Sequence, residues 1–190
     1  MPKKVGVLAL QGDFEAHQRA VRRAGAEAVE VRTPEELAEV DALIIPGGES
    51  TTMLKLLNET GLRQPLAEFA ARKPVFGTCA GAILLAREVH NPIQEALGVL
   101  DITVERNAYG RQLDSRIVHL KPENGSLGTD ELEAVFIRAP IIRRIGPGAH
   151  VLLRYNGDPV LVEQGRHMVA TFHPELAGDD RVHRAFIDKI

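Results

Sequence analysis

Residues 75–86 read VFGTCAGAILLA, and this stretch decides the fold. A short apolar strand, Pro74–Phe76, runs into Gly77, then Cys79, the only cysteine of the chain, then Gly81 and a second apolar run. A buried strand that ends in G-x-C-x-G and continues as a helix from about Ala80 has the pattern of a nucleophile elbow. Such a turn holds its central residue in a strained conformation, and glycines on either side remove the side chains that would clash. The sulfur then stands at the carboxyl end of a parallel sheet, where open α/β sheets bind ligands. The helix N-terminus favours a thiolate there, and the Ala80 amide points toward an oxyanion. The competing reading is a structural cysteine, because free cysteines are among the most buried residue types.

Upstream of the elbow, strands and helices alternate. Val5–Leu10 is nearly all apolar, as a strand covered on both faces would be. A helix is expected over Phe14–Ala24, with Asp13 as N-cap and Gly25 as stop. Ala28–Val31 and Ala42–Ile45 read as strands, the second ending at Pro46-Gly47-Gly48. Ser50 is placed to cap a helix reaching about Leu57, and Leu62–Ala71 suggests another. This order implies a parallel, doubly wound sheet with right-handed crossovers. Downstream the pattern changes. Ile102–Glu105, Ser115–Leu120, Ala134–Ile137, Val151–Arg154, Val160–Glu163 and Met168–Phe172 read as short strands separated by Gly, Asn, Asp and Pro. A hairpin is expected around Asn156-Gly157-Asp158, and Val182, Ala185, Phe186 and Ile190 fit one face of a closing helix.

A chain of 190 residues suits one domain, here residues 1–190, with a core that needs no disulfide. One cysteine cannot form an internal disulfide, which fits a reducing compartment. The formal net charge of −3 arises from mixed charges without long runs, and Trp is absent. Neither a nucleic-acid footprint nor a polybasic membrane patch is visible. The start, MPKKVGVLALQGD, turns polar too early for a signal peptide, and no apolar run approaches membrane-spanning length. The expectation is a soluble cytoplasmic protein that binds neither nucleic acid nor membrane.

A thiolate nucleophile needs a base, and the base needs an orienter. His17, His90, His119, His150, His167 and His183 show no partner spacing and are read as surface or capped residues, His17 on a solvated-looking helical stretch. No Cys/His cluster suggests zinc. His173 differs, because it follows the last strand in ATFHPEL with Glu175 two residues on. In an extended segment the two side chains point the same way, so Glu175 can accept from one ring nitrogen while the other faces the thiol. A chance turn is the alternative for H-P-E. PGGES, residues 46–50, ends a neighbouring strand, and its glycine pair lets backbone amides approach a ligand as a second oxyanion donor, or simply makes a turn.

Together these motifs resemble those of the class I (triad) glutamine amidotransferase family. The segments GVLALQGDFEAH, PGGESTTM, FGTCAGAILLA, ERNAYGRQLDS, VFIRAP and FHPEL, spread from Val5 to Leu176, are similar to one branch of it, the SNO family of glutaminase subunits of pyridoxal 5′-phosphate synthase. Ile83 stands where other triad amidotransferases usually carry a glutamine. The resemblance implies a flavodoxin-like, three-layer α/β fold: a mostly parallel central sheet, helices on both faces, and antiparallel hairpins added in the second half. It implies hydrolysis of L-glutamine to L-glutamate and ammonia through a glutamyl thioester, without a metal or organic cofactor. Cys79 is the implied nucleophile, His173 the acid and base, Glu175 the orienter, and Gly48 and Ala80 the oxyanion donors. Gly47, Gly48, Glu49, Arg106, Ile137 and Arg138 are the implied glutamine-binding residues. An arginine suits the α-carboxylate and Glu49 the α-ammonium of a zwitterion. The implied partner is a PdxS-type synthase subunit that forms large rings, receives the ammonia through a channel and activates the glutaminase on docking. The alternative is the glutaminase subunit of another amidotransferase, such as imidazole glycerol phosphate synthase.

Overall fold

The computed structural model describes residues 1–107 and 115–190, so the AYGRQLD part of the ERNAYGRQLDS motif lies outside the described residues. Strands β1 (Lys4–Leu8), β2 (Glu27–Val31), β3 (Ala42–Ile45) and β4 (Val75–Thr78) alternate with helices α1 (Phe14–Arg23), α2 (Pro34–Ala38), α3 (Ser50–Glu59) and α4 (Arg63–Ala70). Helix α5 (Ala80–Leu85) follows β4 after one residue. Then come β5 (Ala86–His90), β6 (Leu100–Glu105), β7 (Arg116–Leu120), β8 (Leu132–Phe136), β9 (Ile141–Ile145), β10 (His150–Tyr155), β11 (Asp158–Gln164), β12 (His167–Ala170) and α6 (Arg181–Ile187).

The main sheet has seven strands in the order β10-β11-β12-β4-β3-β1-β2. From β12 to β2 the neighbours are parallel, while β10, β11 and β12 form an antiparallel meander on one edge. The succession β2-β1-β3-β4-β12 is that of a flavodoxin-like sheet. β5, β6 and β9 make a second, three-stranded sheet, and β7 pairs with β8.

Side-chain alternation along the buried strands divides the core in two. Leu43, Ile45 and Val75 face a cluster containing Met53 and Leu57 of α3, Leu66 and Phe69 of α4 and Leu84 of α5. Val5, Val7, Ile44, Phe76 and Met168 face the other cluster, with Val21 of α1 and Val182 and Phe186 of α6. Helices therefore cover both faces, which makes three layers. Phe76, Phe172 and Phe186 are fully buried. Burial of each such side chain contributes roughly 1.5–3 kcal/mol.

Several elements differ from the sequence expectations. β1 stops at Leu8, because the chain then crosses toward the loop after β3: a Cβ at Gly12 would lie 1.9 Å from Gly47 O. Glu49, not Ser50, caps α3, its carboxylate accepting from the amides of Thr51 and Thr52. Helix α2 was not expected, although Thr33 caps it and Pro34 starts it. β5 and β9 were also not expected. Both are short, and both lie in the small sheet rather than in the main one.

The parallel registers align the strand ends that matter. Ile45 pairs with Gly77, and Val169 pairs with Gly77 from the other side. The segments leaving β3, β4 and β12 therefore emerge side by side at one sheet edge, together with the segment leaving β1.

Candidate active site

Cys79 joins β4 to α5 with φ 52 and ψ −106, a positive-φ conformation that residues other than glycine rarely adopt. Close packing on either side holds it. A Cβ at Gly77 would lie 2.4 Å from Gly81 O, and one at Gly81 would lie 2.2 Å from Ile45 O. The Cys79 amide donates to Ala170 O at 2.8 Å, which ties the elbow to β12. Its carbonyl accepts from Ile83 N and opens α5. Ala80 is the first residue of that helix, where backbone amides have no intrahelical acceptor.

His173 arrives from the next strand. Its amide donates to Val135 O, and its ring packs on the loop after β3: a Cβ at Gly47 would lie 2.8 Å from His173 Cε1 and 3.4 Å from Cys79 Cβ. His173 Nδ1 donates to Glu175 Oε1 at 2.5 Å. The pairing is the expected one, but the backbone is not extended there. Pro174 starts a 3-10 turn, Pro174–Leu176, which swings Glu175 inward until it is buried. Burial of His173 would lower its pKa. Hydrogen bonds with Cys79 and Glu175, and the charges of both, outweigh burial and push it up to about 10. The ring thus holds both protons at neutral pH, between the Glu175 carboxylate and the Cys79 sulfur. Such a set can attack an acyl carbon and protonate a leaving amine.

Gly47 and Gly48 lie beside this group, Gly48 at φ 138. The next amide, that of Glu49, donates to Gln11 Oε1 at 2.9 Å. Gln11, in the segment after β1, was not singled out by the sequence reading; its position beyond the carboxyl end of a buried strand is the signal. The Glu49 carboxylate accepts from the amides and hydroxyls of Thr51 and Thr52 and from Arg106 Nη2 at 3.1 Å. Burial works against its charge, but these hydrogen bonds from Thr51 and Thr52 prevail and hold its pKa at about 2. The structure therefore brings Glu49 and Arg106 together as an ion pair, one carboxylate and one guanidinium at the same place. Ile137 O lies 4.0 Å from Cys79 Sγ. Arg138 follows with φ 47 and is exposed.

Two histidines read as surface or capped residues are wholly buried. His17 of α1 and His183 of α6 are both 0% exposed, and His17 Nδ1 lies 3.0 Å from His183 Nε2. His17 Nε2 reaches Thr78 Oγ1 and Glu175 Oε2, each at 3.2 Å. The polar sequence of α1 hid this, because its inward face consists of Ala16, His17, Gln18, Ala20 and Val21 rather than large apolar residues. Among the described residues, no group of three or more His, Cys, Asp or Glu is placed to hold a metal ion. No helix among them is long and apolar enough to cross a membrane.

The sequence profile of the SNO glutamine amidotransferase family matches residues 7–190. A curated relative from Solibacter usitatus, "Pyridoxal 5′-phosphate synthase subunit PdxT", is 62% identical over 192 residues, covering 99% of this chain and 100% of the relative. The protein of the same name from Thermotoga maritima is 49% identical over 188 residues, covering 98% and 99%. A solved structure described as "Crystal structure of glutamine amidotransferase" superposes with a TM-score of 0.89 at 49% identity, over 97% of each chain. The PurLQS structure from Thermotoga maritima is similar in fold, with a TM-score of 0.75 at 18% identity over 99% of each chain.

Proposed function

The chain belongs to the SNO glutamine amidotransferase family, and from that premise we propose that it is the glutaminase subunit of a pyridoxal 5′-phosphate synthase. It hydrolyses L-glutamine and passes ammonia to a PdxS-type synthase subunit within a ring-shaped assembly, in the cytoplasm. The observation that carries the reading is His173, held between Glu175 at 2.5 Å and the side chain of Cys79 on its positive-φ turn. The relatives' shared name and near-complete coverage support it.

In this mechanism the Cys79 thiolate attacks the carboxamide carbon of glutamine. The C–S bond forms, and the oxyanion rests on the amides of Gly48 and Ala80. The imidazolium of His173 gives its proton to the departing nitrogen, the C–N bond breaks, and ammonia leaves a glutamyl thioester. Neutral His173 then takes a proton from water as its oxygen attacks the thioester carbon; the C–O bond forms, the C–S bond breaks, and glutamate leaves with the Cys79 thiolate and the His173 imidazolium restored. Glu175 keeps the ring oriented and stabilises its charge. Gly47 lines the site beside His173 and Cys79. Glu49 receives the substrate's α-ammonium, Arg106 and Arg138 its α-carboxylate, and Ile137 the backbone contact beside the sulfur. The loop 46–50 completes the oxyanion site when the synthase docks, because its glycine pair permits a peptide flip.

The test is glutamate release from glutamine by the purified chain, alone and with a PdxS-type subunit, with Cys79→Ala as control. Strong activation that the variant abolishes is expected. Equal rates with and without the subunit would refute the partner, and activity retained by Cys79→Ala would refute the nucleophile.

A further inference from the structure

Two buried histidines, His17 and His183, have no part in that mechanism. Glu175 uses Oε1 for His173, and its Oε2 is buried without a well-aligned hydrogen bond among the described residues. A carboxylate oxygen in that state is costly. The nearest donor is His17 Nε2 at 3.2 Å, which also lies 3.2 Å from Thr78 Oγ1. The ring N–H is aimed better at Thr78, so the contact with Glu175 is the off-axis arm of a forked bond.

We propose that His17 is a positioning residue for the catalytic set: its Nε2–H braces the second oxygen of Glu175, and His183 fixes the tautomer by donating Nε2–H to His17 Nδ1. The opposite tautomer would set a bare nitrogen against a carboxylate oxygen at 3.2 Å inside the protein. It would also leave an N–H rather than a lone pair unpaired at His183 Nδ1, which has no hydrogen-bond partner among the described residues. Buried orphan N–H groups are the rarer of the two. A doubly protonated His17 is disfavoured by burial first, then by the charges of His183 and His173. Burial likewise lowers His183 to about 4, with Asp180 and Arg23 acting on it in opposite directions. The groups around His17 are thus His183 from α6, Thr78 from the end of β4, and His173 and Glu175 from the segment after β12. The chain His183–His17–Glu175–His173–Cys79 extends the catalytic set from the thiol to the middle of the α1/α6 layer.

The inference rests on the glutaminase reading for its kinetic consequence, but not for its geometry. In the full-length chain labelled with 15N-histidine, the ring nitrogen shifts of His17 should report Nε2–H with bare Nδ1 throughout the neutral range. An Nδ1–H tautomer would overturn the proposal, whether or not the chain hydrolyses glutamine. Failure of glutaminase activity in the unaltered chain with its synthase would count against the functional reading alone. In activity assays with the synthase subunit, His17→Leu should lower kcat roughly tenfold with little change in KM. It should also bring the His173 titration midpoint down by about one pH unit. His17→Gln, which keeps a donor near the Nε2 position, should recover most of both. Unchanged kcat and midpoint in folded His17→Leu, or equal loss in both variants, would overturn it. If His17→Leu does not fold, the nitrogen shifts of the unaltered chain still decide.

Discussion

Adding one methyl group at Gly81 tests the geometry of the elbow directly. In Gly81→Ala the new carbon would lie 2.2 Å from Ile45 O and 3.0 Å from the Ile45 carbonyl carbon. A carbon and a carbonyl oxygen ordinarily stay about 3.3 Å apart, so about 1 Å must be found. β3 is paired with β1 on one side and β4 on the other and cannot yield it cheaply. The start of α5 must lift instead, taking Cys79 with it. Alanine is better than glycine in a helix by about 1 kcal/mol, whereas overpacking costs about 1–3 kcal/mol. A net loss of up to about 2 kcal/mol follows, which lowers Tm by up to about 8 °C in a chain of this size. The catalytic effect should be larger, because a 1 Å misplacement costs about a hundredfold in rate. The assays are the urea midpoint and glutamate release at saturating glutamine with the synthase present. Gly178→Ala, where a Cβ meets open space, is the control and should match the unaltered protein. Unaltered stability and rate in Gly81→Ala would refute the argument that the close approach to β3 sets the elbow.

Other consequences follow from the same site. Glu175→Gln should cost about 10³–10⁴ in kcat, the size of effect seen when a triad carboxylate becomes an amide and its histidine is held in the wrong tautomer; a loss under tenfold would mean that Glu175 does not orient His173. The His173 pKa is raised from 6.5 to about 10, so its stabilising share is complete below pH 6.5 and lost as pH rises through 10. The difference in urea midpoint between the unaltered chain and His173→Gln should therefore narrow across that range, and a difference that widens would contradict the sign. Asp13→Ala removes the side chain that accepts from Ala16 N at the start of α1 and should cost about 1 kcal/mol by chemical denaturation.

The parts of the fold legible in the sequence were those whose signal is local. The elbow could be read because G-x-C-x-G needs both glycines for close approaches that the structure contains. His173 and Glu175 could be paired because only one residue separates them. The capping of α3 was misplaced by one residue, because the longer Glu49 side chain folds back onto amides that Ser50 was expected to serve. α2 carries a local signal of its own: Thr33 accepts from Glu36 N, and Pro34 occupies the first turn. β9 alternates weakly, as IIRRI, and gains its meaning only from pairing with β6. His17 and His183 were illegible for a stronger reason. They are far apart in the chain, and a buried polar residue on a thinly apolar helix looks solvated until its partner arrives from another element.

The sheet order carries a consequence for the chain as it is made. β4 and β12 lie side by side, yet β5 to β11 are synthesised between them. The Cys79 thiol therefore leaves the ribosome long before the His173 ring proposed to activate it. Until β12 slides into register beside β4, pairing Met168 with Phe76, a nascent chain carries the cysteine without the rest of the proposed site. Under the proposed mechanism, chemical competence is thus withheld until β12 has been made, and the return of activity during refolding is a clock for the docking of that strand.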